Sequence, residues 1–178
     1  MPQLQCSVEE SVVVAVDIQP IFLQAIHEAE RMTRRARFLV QSAKVLGVPV
    51  LATEQNPSRL GAFDPDFDLS PVSKMSFSGW EAIRESVESI GKPNVVLVGV
   101  ETHICVALTA LDLLNQGYNV FVCPDGVSSR TSEMHKLGME RMRDSGVMPS
   151  QTETLVYEWM GSAEHPRFRD VLKLVKEA

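Results

Sequence analysis

A cysteine does its best chemistry as a thiolate, and one cysteine of this chain stands where a thiolate would be favoured. Cys105 closes the run Gly99-Val100-Glu101-Thr102-His103-Ile104-Cys105, past an apolar segment and in the first turn of a helical pattern. With Thr102 as N-cap, free backbone N–H groups and the positive helix end would hold its pKa below the ordinary value of about 8.5. Asp17 ends an apolar run, where a carboxylate is costly unless it is paired or working. Lys74 follows Pro71-Val72-Ser73 in a similar position. Each has an ordinary reading when taken alone: a core thiol, a helix cap or solvated loop residue, a surface cation. Their convergence at strand ends favours chemistry. Asp17 would accept the thiol proton and return it to a leaving group, while Lys74 would hold both anions in place.

No histidine offers itself as the thiol's base. His103 is two residues from Cys105, so the two side chains do not face each other on a helix. His27, His135 and His165 fall in or beside helical patterns and read as surface or cap residues. Thr53-Glu54-Gln55-Asn56 carries no pair of histidines at metal-ligand spacing. Asp64, Asp66 and Asp68 are interrupted by Pro65 and Phe67 and lack the glycine pattern of a calcium loop. Covalent catalysis without metal or cofactor is the expectation.

The elements that must position these residues follow from periodicity. Val12 to Val16 is an unbroken apolar run ending at Asp17, the signature of a strand buried on both faces. Apolar residues at Met32, Ala36, Leu39, Val40, Ala43 and Leu46 recur at helical spacing, and Gly47 stops that helix. Further strands are predicted at Val48 to Thr53, Val72 to Lys74, Val95 to Val100, Tyr118 to Cys123 and Thr154 to Tyr157. Helices are predicted at Trp80 to Ile90, Ile104 to Asn115, Ser132 to Ser145 and Arg167 to Lys176. The alternation implies a mostly parallel sheet with helices on both faces, in one domain spanning 1–178. Ligands in such folds gather at the carboxyl ends of the strands, where Asp17, Thr53, Glu54, Lys74, Glu101 to Cys105 and Asp125 would lie.

Composition narrows the class. The chain has 178 residues, 44% hydrophobic and 22% charged, which suits a globular domain with a substantial core. A net charge of −6 argues against a nucleic-acid partner. The cluster Arg31, Arg34, Arg35 and Arg37 sits on a predicted helix and reads as a solvated face. Three cysteines make no disulfide framework, and Cys123 reads as core while Cys6, near the N-terminus, has no inferred role. Met1 to Glu10 holds no basic residue and no apolar run, so no signal peptide is expected, and no stretch is long and apolar enough to span a membrane. A reducing, cytoplasmic setting is the expectation.

The blocks Val16-Asp17-Ile18-Gln19, Lys74 with Phe77-Ser78, Gly99 to Val106, and Pro124-Asp125-Gly126-Val127-Ser128-Ser129-Arg130 together resemble the isochorismatase-like cysteine hydrolases. They occur in family order and cover most of the chain. The resemblance implies a three-layer α-β-α sandwich around a six-stranded parallel, Rossmann-like sheet. It implies an Asp–Lys–Cys triad at Asp17, Lys74 and Cys105, and a cis peptide between Val100 and Glu101. The backbone N–H groups of Glu101 and Cys105 would form an oxyanion hole, and a homo-oligomer would be the assembly. Glu54-Gln55-Asn56 departs from the Asp-x-His metal motif of the family's nicotinamidases. Thr53 to Pro57 and Gly161 to Phe168 resemble a subgroup of isochorismatase-domain proteins.

Three functions follow as alternatives: a hydrolase cleaving an amide-like bond of a small molecule through a thioester on Cys105, a vinyl-ether hydrolase using Asp17 as acid, and a non-catalytic oligomeric protein of the same fold. Gln19, Phe22, Gln55 and Phe77 are nominated to bind substrate. Trp80 could join an apolar wall or pack a helix.

Overall fold

The computed structural model describes residues 5–178; part of the stretch read as lacking a signal peptide therefore lies outside the described residues. Six strands form one sheet: β1 (Ser11–Val16), β2 (Val50–Gln55), β3 (Val72–Lys74), β4 (Asn94–Val100), β5 (Asn119–Ser128) and β6 (Met148–Pro149). All pair in parallel, in the order β3-β2-β1-β4-β5-β6. The chain first builds outward from β1 through β2 to β3, then returns to the other side of β1. The reversal falls between β1 and β4, where strand ends splay and leave a crevice for ligands.

The alternation of side chains along each strand divides the core into two halves. Val13, Ala15, Val96 and Val98 pack under the helices α2 (Ala29–Leu46), α7 (Thr152–Met160) and α8 (Phe168–Glu177). Val12, Val14, Val16, Val95 and Leu97 meet α4 (Trp80–Ile90), α5 (Ala107–Asn115) and α6 (Ser132–Asp144) on the opposite face. Strands covered on both sides must be apolar at every position, which explains the unbroken valine runs. Two single-turn helices, α1 (Pro20–Leu23) and α3 (Pro57–Leu60), follow β1 and β2 at the crevice.

Three expectations are corrected. Thr154 to Tyr157 is not the last strand but the middle of α7; β6 is the two-residue Met148–Pro149. Leu155, Val156, Trp159 and Met160 bury one helical face, and the Asp125 carboxylate accepts from the Thr152 N–H (3.0 Å) and hydroxyl (2.6 Å), capping the helix from β5. A strand as short as β6, ending in proline at the sheet edge, leaves no periodic signal. The fifth strand runs on through Pro124-Asp125-Gly126 to Ser128, with a register irregularity opposite Leu97 and Gly99. Cys6 is packed in the core, its N–H donating to Glu158.

The arginine cluster is more than a solvated face. Arg35 pairs with Asp125 at 3.0 Å, and Arg37 lies 3.2 Å from Asp66 with its guanidinium over the Phe67 ring. Among the described residues, no helix is long and apolar enough to cross a membrane.

Candidate active site

Asp17 turns out of β1 with φ of 50°, a left-handed conformation that few residues other than glycine adopt readily. Its N–H donates to the Thr53 carbonyl, and its Oδ1 accepts from the Thr53 hydroxyl at 2.8 Å. Lys74, at the end of β3, brings its Nζ within 2.7 Å of Asp17 Oδ2, with both side chains buried. A buried ion pair repays its desolvation only if the remaining hydrogen-bonding capacity is also met. Lys74 meets it by donating to Gln55 Oε1 (2.6 Å) and to the carbonyls of Ser76 and Phe77 (3.1 Å each). An ammonium has three N–H groups, and these acceptors use all of them. Asp17 Oδ2 therefore sits against the ammonium as an ion pair without a well-directed N–H from it, and the Asp17 carboxylate is within side-chain hydrogen-bonding reach of the Cys105 thiol.

Cys105 reaches the same place from β4. Gly99 makes the approach possible: at its φ of 121° a Cβ would lie 2.0 Å from the Val16 carbonyl oxygen, so no larger residue lets β4 sit against β1 there. The Val100–Glu101 peptide is cis. The chain then enters a π turn, Thr102–Val106, in which the Val106 N–H reaches back to the Glu101 carbonyl at 3.2 Å. Single π turns occur often where a helix presents a functional side chain. Thr102 is not the N-cap expected of it; its buried hydroxyl is 2.9 Å from His135 Nδ1.

The expected lowering of the thiol pKa is also corrected. Burial pushes Cys105 up to about 12, the Asp17 charge adds to that rise, and the Lys74 charge opposes it. Desolvation of a sulfur anion outweighs the pull of one turn's backbone dipoles. The resting sulfur is a neutral thiol beside the Asp17–Lys74 salt bridge.

A pocket of ≈ 310 Å³ opens over Cys105. Phe22, Gln55 and Phe77, nominated from sequence, line it together with Asn56, Leu60, Val100, Glu101 and Ile104. Gln19 does not. It is fully buried, donates to the Gln55 and Gly61 carbonyls and accepts from the Gln55 N–H, and so braces the end of β2. Gln55 borders the pocket, but its amide is spent on Lys74 and on the Met75 carbonyl. Trp80 packs in the core. Val100 and Ile104 were already in the motif around Cys105, whereas only chain reversal brings Asn56 and Leu60 to the rim. The Glu101 carboxylate accepts from the Arg130 N–H and Nε, each at 3.1 Å. The backbone N–H of Glu101 has no acceptor among the described residues. Those residues include no group of three or more His, Cys, Asp or Glu side chains that could hold a metal ion.

The isochorismatase domain profile matches residues 11–154. Isochorismatase domain-containing protein 2 of Danio rerio is 35% identical over 95% of this chain and 88% of its own length. A secreted isochorismatase effector, Isc1, of Phytophthora sojae is 34% identical over 94% of this chain and 85% of its own. Among solved structures, one described as the MAR1 ribonuclease of Caenorhabditis elegans superposes with a TM-score of 0.91 at 30% identity, covering 97% of this chain and 92% of that one.

Proposed function

Since the chain belongs to the isochorismatase family, we propose that it is a cysteine-dependent hydrolase of a small molecule, cleaving an amide-like C–N bond through a thioester on Cys105. The observation that carries this reading is the buried Asp17–Lys74 ion pair, with the Asp17 carboxylate in side-chain hydrogen-bonding reach of the Cys105 thiol.

The chemistry follows from that arrangement. As sulfur attacks the substrate carbonyl, the S–H proton passes to Asp17 Oδ2 and the carbonyl electron pair moves to oxygen. The resulting oxyanion faces the backbone N–H groups of Glu101 and Cys105. Collapse breaks the C–N bond, and Asp17 returns the proton to the departing amine. Water then attacks the thioester, giving its proton to Asp17, which restores the thiol as the carboxylic acid leaves. Lys74 stays ion-paired with the Asp17 carboxylate between these steps. A thiol that is neutral at rest needs such a base, because free thiolate is scarce at neutral pH.

Trapping the intermediate tests this. Brief exposure to an activated acyl ester, followed by intact-mass and peptide analysis, should show an acyl group on Cys105 that a Cys105→Ala variant does not acquire. Absence of any acyl adduct, or isochorismate turnover surviving in Cys105→Ala, would instead favour the vinyl-ether reading with Asp17 as acid.

The chain's net charge of −6 supports a small-molecule substrate over RNA, although a structural relative bears a ribonuclease name. Degradation of RNA that is lost in Cys105→Ala would reverse that preference. Three free, buried cysteines suit a reducing cytoplasm, and a secreted relative makes fractionation the direct check. Exposed Phe77 at the pocket rim and exposed Met75 nearby in the chain suit coverage by a second copy in a homo-oligomer, which light scattering would read.

A further inference from the structure

Resting on the cysteine-hydrolase reading, we propose that the site selects uncharged, largely apolar acyl compounds and rejects those with a carboxylate near the reacting carbonyl. The charges around the pocket are already matched in pairs. Lys74 is closed off by Asp17, Gln55, Ser76 and Phe77, with no N–H left for a ligand. Arg130 is turned onto Glu101 through both its backbone and its side chain. Lys74 has no N–H left for an anion, and Arg130, its charge offset by Glu101, is not among the residues that line the pocket.

The nearby histidines supply no substitute. His103 Nδ1 is 2.9 Å from the Ser129 hydroxyl, and His135 Nδ1 is bound to Thr102. Burial and the Arg31 charge lower the His135 pKa, which disfavours its cation. The remaining walls are Phe22, Leu60, Phe77, Val100 and Ile104, with two amides, Asn56 and a Gln55 already bound to Lys74 and Met75. The Asp17 and Glu101 carboxylates both make a negative charge at the sulfur less favourable, and Lys74 alone opposes them. A substrate anion placed beside the sulfur would meet the same field and would lose its hydration without a partner. A volume of ≈ 310 Å³ holds roughly ten water-sized groups, enough for a short branched or aromatic acyl chain.

Two isosteric pairs test the selection. The first is iodoacetamide against iodoacetate at Cys105, read by peptide mass and normalised to a free thiol. The second is the p-nitrophenyl ester of 4-isopropylbenzoate against that of 4-carboxybenzoate, read as acylation rate with the same normalisation. The neutral member of each pair should react at least about tenfold faster, the scale set by one unmatched charge near the sulfur. A Phe77→Arg variant, altered at an exposed rim side chain, should narrow both gaps by supplying a free cation. Equal or faster reaction of the anionic members overturns the proposal. If neither ester acylates Cys105 while alkylation still favours iodoacetamide, the hydrolase reading fails and the charge selection stands.

Discussion

Asp17 and Lys74 act on the Cys105 sulfur with opposite signs, and that makes their substitutions separable. Removing the Asp17 charge lowers the thiol pKa, so Asp17→Asn should alkylate faster than the native protein at pH 8. Losing its proton acceptor, the same variant should hydrolyse acyl substrates about 10²–10⁴-fold more slowly. Lys74→Ala removes the one charge favouring thiolate and should slow both reactions. Iodoacetamide kinetics against pH, run beside turnover, read the two effects. An Asp17→Asn thiol no faster than native would break the assigned pairing. The sequence made these three residues legible by type and by their place at strand ends. It could not reveal the sign of the thiol's shift, because burial depends on what packs over Cys105. Nor could it show that Gln19 and Gln55 are spent on the scaffold, since their hydrogen bonds join β1, β2 and β3 across the sheet.

At the level of elements, the site depends on how closely β1 and β4 approach and on how α7 is anchored. Gly99→Ala would force a Cβ against the Val16 backbone at 2.0 Å, a contact no side-chain rotation relieves. The variant should lose several kcal/mol of stability, or fail to accumulate as folded protein, as urea titration and solubility would report. Asp125 ties β5 to α7 through Thr152 and to α2 through Arg35. Asp125→Ala removes a cap and one partner of a half-buried ion pair, an expected cost of about 1–3 kcal/mol. In a domain of this length that corresponds to a melting temperature lower by roughly 2–12 °C, measurable by calorimetry. The strand first read over Thr154 to Tyr157 shows why such anchors escape a sequence reading. A run of Thr, Leu, Val and Tyr has β-propensity, yet a cap from a residue 27 positions away and burial of one helical face decide for helix.

Across the whole molecule, the three buried thiols impose a pH dependence. Burial raises Cys6 and Cys105 to about 12 and Cys123 well above the ordinary thiol value. The folded chain thus keeps protons that the unfolded chain releases near pH 9. Their contribution to stability is whole below that pH and falls as the pH climbs from about 9 towards 12. Each thiol should add about 1.4 kcal/mol per pH unit to the loss within that window. Denaturant unfolding at pH 8 to 11 should show the decline, with a slope shallower by about one thiol in Cys123→Ala. Stability independent of pH up to 11 would contradict the burial of these groups.

The sequence alone determined the layered α/β class and the parallel order of most elements, and it singled out Cys105, Asp17 and Lys74 as candidates for a nucleophile and its partners. Each of these is written in local pattern: valine runs for strands covered on both faces, glycines at helix ends, and reactive residue types just past the strands. Only the tertiary structure decided the rest. Chain reversal between β1 and β4 sets Asp17 beside Cys105, and a lysine two strands away completes the pair with every N–H accounted for. Burial, a property of the packed whole, keeps the thiol protonated and matches the surrounding charges in pairs. Desolvation and long-range hydrogen bonds have no counterpart in local sequence spacing, and they set the character of this site.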